Sequence, residues 1–426
     1  MIGLVVVLGA NTLQRGSGRL ASHITDLVVV ALALVGAVVS WLVTRWKVDG
    51  VTLRIESGLL RRDSRQVPLA RIQAIDLVQP AVGRLLGLTE LRLRVAGSRA
   101  HVRLAYLAAP EAEATRGRLL ALAHGVREDA APPPEAPLVS VPTSRLAISV
   151  ALSGSGVIAL SVIVITVVVA ILVPGALAAT AGSTLVALIA LVSPAVKRVT
   201  SEADFRLADA PDGLRIRCGL LETVAETIPR GRIQAVRQVE PLLWRPLGWC
   251  RLEVVVAGST GHRRRDEPAG RVVRALMPVG PATAAAALVE RVLPERAVVA
   301  RPAPSRARWK APLSYHFLAG GHDDSYGLAV SGRLRRATSW VPLAKVQSLR
   351  FVQGPWQRSL GLASVHLDVP GRRQRATLRD RDASEARSLI DTLPELCRQA
   401  RANEASQREA ERRHRDADAV YPVPQA

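Results

Sequence analysis

Three stretches of this chain align with one another, without gaps, over about forty residues each. The first, Gly58 to Gly97, reads GLLRRDSRQVPLARIQAIDLVQPAVGRLLGLTELRLRVAG. The second, Gly219 to Gly258, reads GLLETVAETIPRGRIQAVRQVEPLLWRPLGWCRLEVVVAG. The third, Gly332 to Gly371, reads GRLRRATSWVPLAKVQSLRFVQGPWQRSLGLASVHLDVPG. The opening Gly, a Pro (Pro68, Pro229, Pro342), a Gln (Gln73, Gln234, Gln347) and a second Gly (Gly87, Gly248, Gly361) fall in register. A chain built this way must fold the same small unit three times.

Each copy reads as mostly β. A strand such as LRIES or LRIRC precedes the first Gly, and a second strand runs from it toward the Pro. That Gly suits a hairpin position with positive φ. The step Ile72–Ile75, Ile233–Val236 and Val346–Leu349 is a third strand, followed by a compact helical turn closed by Gly. The next strand alternates apolar and polar in Leu91–Val95 and Val365–Val369, so one face is buried and one wet. Leu252–Val256 is apolar throughout and fits burial on both faces. Helices are expected at Pro110–Ala123, at Pro281–Val292, and after Asp382-Ala383-Ser384-Glu385, which has capping-box spacing. A curved antiparallel sheet closed by one C-terminal helix is an α+β arrangement.

Between the first two copies, Leu146 to Val196 is a run of 51 residues without Asp, Glu, Lys or Arg. Roughly 20 apolar residues cross a bilayer, so this run fits two helices. Pro174-Gly175 falls where the break is wanted, giving a transmembrane hairpin of Leu146–Val173 and Ala176–Val196. A further span covers Leu27–Thr44, which is also uncharged. Trp41, Arg45, Trp46, Lys47, Lys197 and Arg198 sit at the span ends and are the expected interfacial anchors. Their positive charge, with that of Arg145, places the repeat domains in the cytoplasm. The opening MIGLVVVLGANTL is too short to span and is a poor signal peptide. A truncated earlier span and a short interfacial segment both fit it.

The formal net charge of +21 is spread through the parts outside these runs and predicts attraction to anionic lipid or nucleic acid. With only 3% aromatic residues and no nucleic-acid-binding motif, the inner leaflet is the simpler partner and nucleic acid is set aside. Cys218, Cys250 and Cys397 are far apart and have no metal or disulfide spacing, so free thiols are expected. No G-x-S-x-G elbow, Walker loop or H-E-x-x-H is present, and no catalytic residue, cofactor or metal is expected.

The G-L-L hairpin, the P-x-x-R/K-I/V-Q segment and the R-x-L-G turn resemble the bacterial pleckstrin-homology (PH) domain of YdbT-like membrane proteins. The order of spans, domain, span pair, domain, domain is similar as well. The third copy departs in having no span pair before it. The resemblance implies fold and location, and no reaction.

The domain plan is therefore as follows. An N-terminal membrane segment takes 1–45 and the first PH-like domain 46–128. A Pro-rich linker at 129–144 leads into the hairpin, 145–197. The second domain takes 198–297, a linker 298–312, the third domain 313–397, and a charged tail 398–426.

Two basic positions recur in every copy: Arg71, Arg232 and Lys345, and Arg84, Arg245 and Arg358. They are candidate contacts for phosphate or carboxylate groups on lipid or on a partner protein. A scaffold role within each domain is favoured for them, because repeats retain scaffold residues more readily than ligand contacts. Trp244, Trp249, Trp340 and Trp356 fit a core plug and an interfacial role equally. His316, His322, Asp323 and Asp324 lie in a linker-like stretch without ligand spacing and read as solvated loop. The expectation is a non-enzymatic membrane scaffold. The rival is an accessory subunit of a transport or export complex, with Gly154, Ser155 and Gly156 supporting close helix packing.

Overall fold

The computed structural model describes residues 45–49, 52–57, 63–68, 71–95, 102–124, 136–172, 176–210, 213–257, 273–294, 297–370 and 375–420. The span expected over 27–44, the segment before it and Trp41 lie outside the described residues. The chain forms two compact units, Met1–Pro132 and Pro133–Ala426.

In the first unit, β1 (Arg45–Asp49), β2 (Thr52–Ser57) and β3 (Asp63–Pro68) form an antiparallel meander. A second meander follows: β4 (Ile72–Gln79), the short helix α1 (Ala81–Leu85), β5 (Leu88–Val95) and β6 (Val102–Ala108). Helix α2 (Ala109–His124) closes it. The alternation read from the sequence holds in β5, where Leu91 and Leu93 are fully buried and Arg92 between them is not.

The second unit repeats this plan twice. Its first domain runs through β7 (Ala136–Val141), α3 (Thr143–Ala151), α4 (Gly154–Leu172) and α5 (Ala176–Glu202). Then come β8 (Phe205–Ala210), β9 (Gly213–Cys218), β10 (Thr223–Ile228), β11 (Ile233–Pro241), β12 (Trp249–Val256), β13 (Val273–Pro281) and α6 (Ala282–Val292). The next domain has β14 (Arg301–Pro302), α7 (Ala307–Lys310), β15 (Ala319–His322), β16 (Tyr326–Ser331), β17 (Arg335–Pro342) and β18 (Ser348–Val352). It ends with α8 (Pro355–Ser359), β19 (Leu362–Asp368), β20 (Arg375–Asp382) and the long α9 (Ala383–Val420). Every described strand pairing is antiparallel, and each repeat is two strand layers closed by a helix, an α+β architecture.

The registered residues have local jobs. Gly219 and Gly332 take φ of 117° and 98° at the hairpin tips, where a Cβ would overlap the backbone carbonyls of Glu222 and Arg335 across the turn. Gly87, Gly248 and Gly361 end the helical turns at φ of 69°, 63° and 62°. The repeated Gln marks a β-bulge: the ladders of β4 with β5 and of β11 with β12 slip between Ile72 and Ala74, and between Ile233 and Ala235.

Several segment boundaries differ from the sequence reading. The stretch 129–144 contains β7, which pairs with β8, so the second domain starts before its helices and the helices are an insertion between the edge strand β7 and its neighbour β8. The stretch 298–312 likewise contains β14, paired with β15, and α7. The tail from 398 is helical through Val420, a continuation of α9.

The first helix of the expected hairpin is broken. Helices α3 and α4 meet at 62°, because Leu146, Ser149 and Val150 of α3 are buried against the second domain. Gly156 permits the bend: a Cβ there would overlap the carbonyls of Val150 and Ala151. It therefore serves the turn of the chain, where the sequence suggested helix packing. Among the described residues no single helix is long and apolar enough to cross a membrane, and α3 with α4 meets that measure only as a bent pair.

Strand β11 of the second domain also pairs with β17 of the third, from Val236 opposite Trp340 to Pro241 opposite Arg335. One seven-stranded sheet, β13-β12-β11-β17-β16-β15-β14, thus runs through both domains. Ala235 and Val255 of the second domain belong to the core of the third.

Candidate functional site

The six recurring basic residues have different surroundings. Arg71 is exposed at the turn entering β4. Arg232 is half-buried at the end of a 3-10 turn, Arg230–Arg232. Lys345, at the equivalent turn Leu343–Lys345, is engaged by Glu404 of α9 and is mostly buried. Arg84 and Arg358 are exposed in the last turns of α1 and α8.

Arg245 faces inward along the chain's own surface. Its Nη2 donates to the Arg333 carbonyl at 2.7 Å, and its guanidinium lies 5.7 Å from the Phe317 ring centroid. The Leu242 amide donates to the Leu334 carbonyl nearby at 2.8 Å. This turn of the second domain therefore grips the β16–β17 hairpin of the third.

The expected anchors also divide. Arg45, Trp46 and Lys47 belong to β1, paired with β2, so they begin a sheet. Lys197 is exposed on α5. Arg198 turns inward instead: its Nε lies 3.4 Å from Glu202 and its guanidinium 6.0 Å from the Trp244 ring.

Arg198 is one edge of an ionic lock at the base of the helical insertion, which sequence reading missed. Arg251 on β12 donates from Nη1 and Nη2 to the two carboxylate oxygens of Glu202, both at 2.8 Å, and from Nε to Glu253 at 2.8 Å. Burial pulls the Arg251 pKa down, but the hydrogen bonds and charges of Glu202 and Glu253 outweigh it and hold the guanidinium above its usual value. A bidentate pair of this kind fixes orientation as well as charge. Trp244 completes the junction. It is 1% exposed, fills the core, and donates Nε1–H to the Ser149 carbonyl of α3 at 3.0 Å. Of the two roles open to Trp244, it takes the core plug; Trp356 is exposed.

The third domain has a different lock in the corresponding place. Gln357, aligned with Trp244, donates to Asp380 at 2.6 Å and to Ser364 at 2.9 Å. Asp380 also receives Lys310 of α7 at 2.5 Å. It sits at φ of 51°, where the β19–β20 ladder slips past Ser364. Arg306 pairs with Asp382, and Arg381 donates to the carbonyls of Arg301 and Pro302, both at 2.8 Å. Asp382 caps α9 by accepting the Ser384 amide and hydroxyl. Those bonds, with Arg306, hold its pKa below the usual carboxylate value.

No small-molecule site emerges from these groups. A shallow depression of about 220 Å³ lies beside Ala136, Asp209, Ala210 and Arg230, below the roughly 300–1,000 Å³ of ordinary ligand pockets. Its carboxylate is held by the protein itself. Burial raises the Asp209 pKa, and hydrogen bonds from Arg291 and Arg230 more than reverse this, leaving it lowered. Among the described residues no three His, Cys, Asp or Glu side chains are grouped to hold a metal. Asp323 closes a turn by accepting the amides of Ser325 and Tyr326, and of Ala297. Cys250 and Cys397 are buried free thiols, and burial first, then Glu240, pushes Cys250 up to about 12.

Residues 4–123, 148–291 and 305–396 each match the family model described as the bacterial PH domain, and together they cover well over half of the chain. The second match begins inside α3, and the third begins two residues before α7. No curated protein and no solved structure matches the chain.

Proposed function

The chain belongs to the bacterial PH domain family, and on that premise we propose that it is a non-enzymatic, membrane-anchored scaffold of the YdbT-like kind. Its three domains sit on the cytoplasmic side and bind anionic lipid headgroups or a partner protein at the inner leaflet. The observation that carries the reading is the surface of α4. Ile158, Leu160, Ile163, Val164, Ile165 and Val168 are all exposed and leave only the narrow side of Ala159, Val162 and Thr166 partly covered. A helix that is apolar all round is at home in a protein core or in lipid, and the described domains offer α4 no core. Ile189, Val192 and Val196 of α5 are exposed in the same way.

The insertion is also built to hold its domain close to whatever receives it. The Glu202–Arg251 pair and the Trp244–Ser149 bond tie both ends of the helical insertion to the β-frame. Arg71 and Arg358 are exposed toward anionic groups, and three tethered domains would add weak contacts together.

Membrane fractionation tests the proposal. The full chain should stay with the membrane through an alkaline carbonate wash, and protease added outside intact spheroplasts should leave the three domains uncut. Release into the wash contradicts the anchored scaffold. External cleavage of the domains contradicts their cytoplasmic placement.

A further inference from the structure

The second and third domains share a strand frame that is interrupted at the same point. In the second, the chain leaves β7, forms α3, α4 and α5, and returns as β8. In the third it leaves β14, forms α7 and a 3-10 turn, Tyr315–Phe317, and returns as β15. The short insert, Ala303–Leu318, therefore occupies the slot from which the apolar helices of the second domain project.

The insert presents an unusual surface. Ala307, with Ala303 and Leu318, is buried against Leu362, which turns the rest of α7 outward. Trp309 is 65% exposed and Leu313 is 70% exposed. Arg306 and Lys310 are fastened to Asp382 and Asp380, so the segment is held to its domain rather than hanging free. Arg308 points outward with its guanidinium 5.2 Å from the Trp309 ring centroid. No acidic residue occurs between Glu295 and Asp323, and Arg296 and Arg301 bring the cations of this stretch to five.

We infer that Ala303–Leu318 is a membrane-surface anchor, with Trp309 and Leu313 seated among lipid headgroups and Arg308 meeting anionic lipid. An outward Trp beside cations is the side-chain pattern of the bilayer interface. The occupant is lipid rather than a second copy, because another chain of formal charge +21 would face this basic patch with like charge. The inference rests on the membrane reading above and gives it a second point of attachment.

The test uses the full chain with Cys218 changed to Ser, leaving Cys250 and Cys397 buried and slow to react. Single thiols are introduced as Trp309→Cys, Leu313→Cys and Val164→Cys. Each is labelled with an environment-sensitive fluorophore in vesicles of phosphatidylcholine and phosphatidylglycerol carrying headgroup or acyl-chain spin labels. Labels at 309 and 313 should shift to the blue and lose most of their emission to the headgroup quencher, while the label at 164 responds to the acyl-chain quencher. If 164 is quenched and both 309 and 313 stay bright, the anchor is refuted and the membrane reading stands. If none of the three is quenched, both fall.

Discussion

The second and third domains are the same frame carrying different cargo, and their locks differ accordingly. The second holds a long apolar helical insertion with Trp244 and a buried Arg251–Glu202 pair. The third holds a short insert with Gln357, Asp380 and a half-exposed Lys310. The central position of the helical turn decides between them: Gly83, Trp244 and Gln357 align, and all three are buried. Where the attachment carries a large lever, the lock is dry and bidentate. Where it carries only a short loop, a wetter network suffices.

That contrast sets an order of effects. Replacing Arg251 with Met removes the bidentate partner of Glu202, leaving it the longer contact to Arg198, and leaves Glu253 the contact to Arg335 at 4.0 Å. The loss should cost about 3–5 kcal/mol, read as a lowered unfolding midpoint of the second domain by hydrogen exchange. Trp244→Phe keeps most of the packing and loses the bond to Ser149, leaving a buried carbonyl short of a donor. About 1–3 kcal/mol is expected, with exchange rising first in α3. Asp380→Asn, in the third domain, removes a partner from a half-exposed Lys, and about 1 kcal/mol is expected. A loss there as large as that of Arg251→Met would erase the contrast.

The shared frame should respond evenly. Gly248→Ala and Gly361→Ala each force a Cβ into the left-handed region and should each cost about 1–2 kcal/mol by the same exchange readout. Acid should also act on both domains. Asp209 and Asp382 have lowered folded-state pKa values, so their contribution is present above the unfolded value and is lost as pH falls through the folded one. Both domains should therefore weaken below about pH 4, and Asp209→Asn should flatten the acid limb of the second domain alone.

Much of this frame was legible because repetition exposes backbone constraints. The registered glycines Gly87, Gly219, Gly248, Gly332 and Gly361 all take positive φ, and the registered Gln is the bulge in the first two copies. The edge strands β7 and β14 were not legible, since they are short and Pro-bearing and their pairing partners lie beyond the helical insertion or the insert. The break between α3 and α4 was hidden inside an uncharged run, because Leu146 and Val150 look the same whether lipid or a protein core receives them. Arg251 and Glu202 lie on elements 49 residues apart, and no local pattern pairs them. The recurring Arg and Lys positions were legible as a set but not in their roles, which depend on neighbours such as Arg333 and Glu404.

The boundary between frame and cargo falls at the bend after α3, and thiol accessibility locates it most directly. In vesicles holding the full chain, with Cys218 changed to Ser, single cysteines at Ile148, Ile158, Val164 and Val168 are offered a membrane-impermeant maleimide. Ile148 lies before the bend and the other three after it. The account predicts labelling at 148, and protection at 158, 164 and 168 that detergent removes. Equal labelling at all four positions before detergent would contradict it.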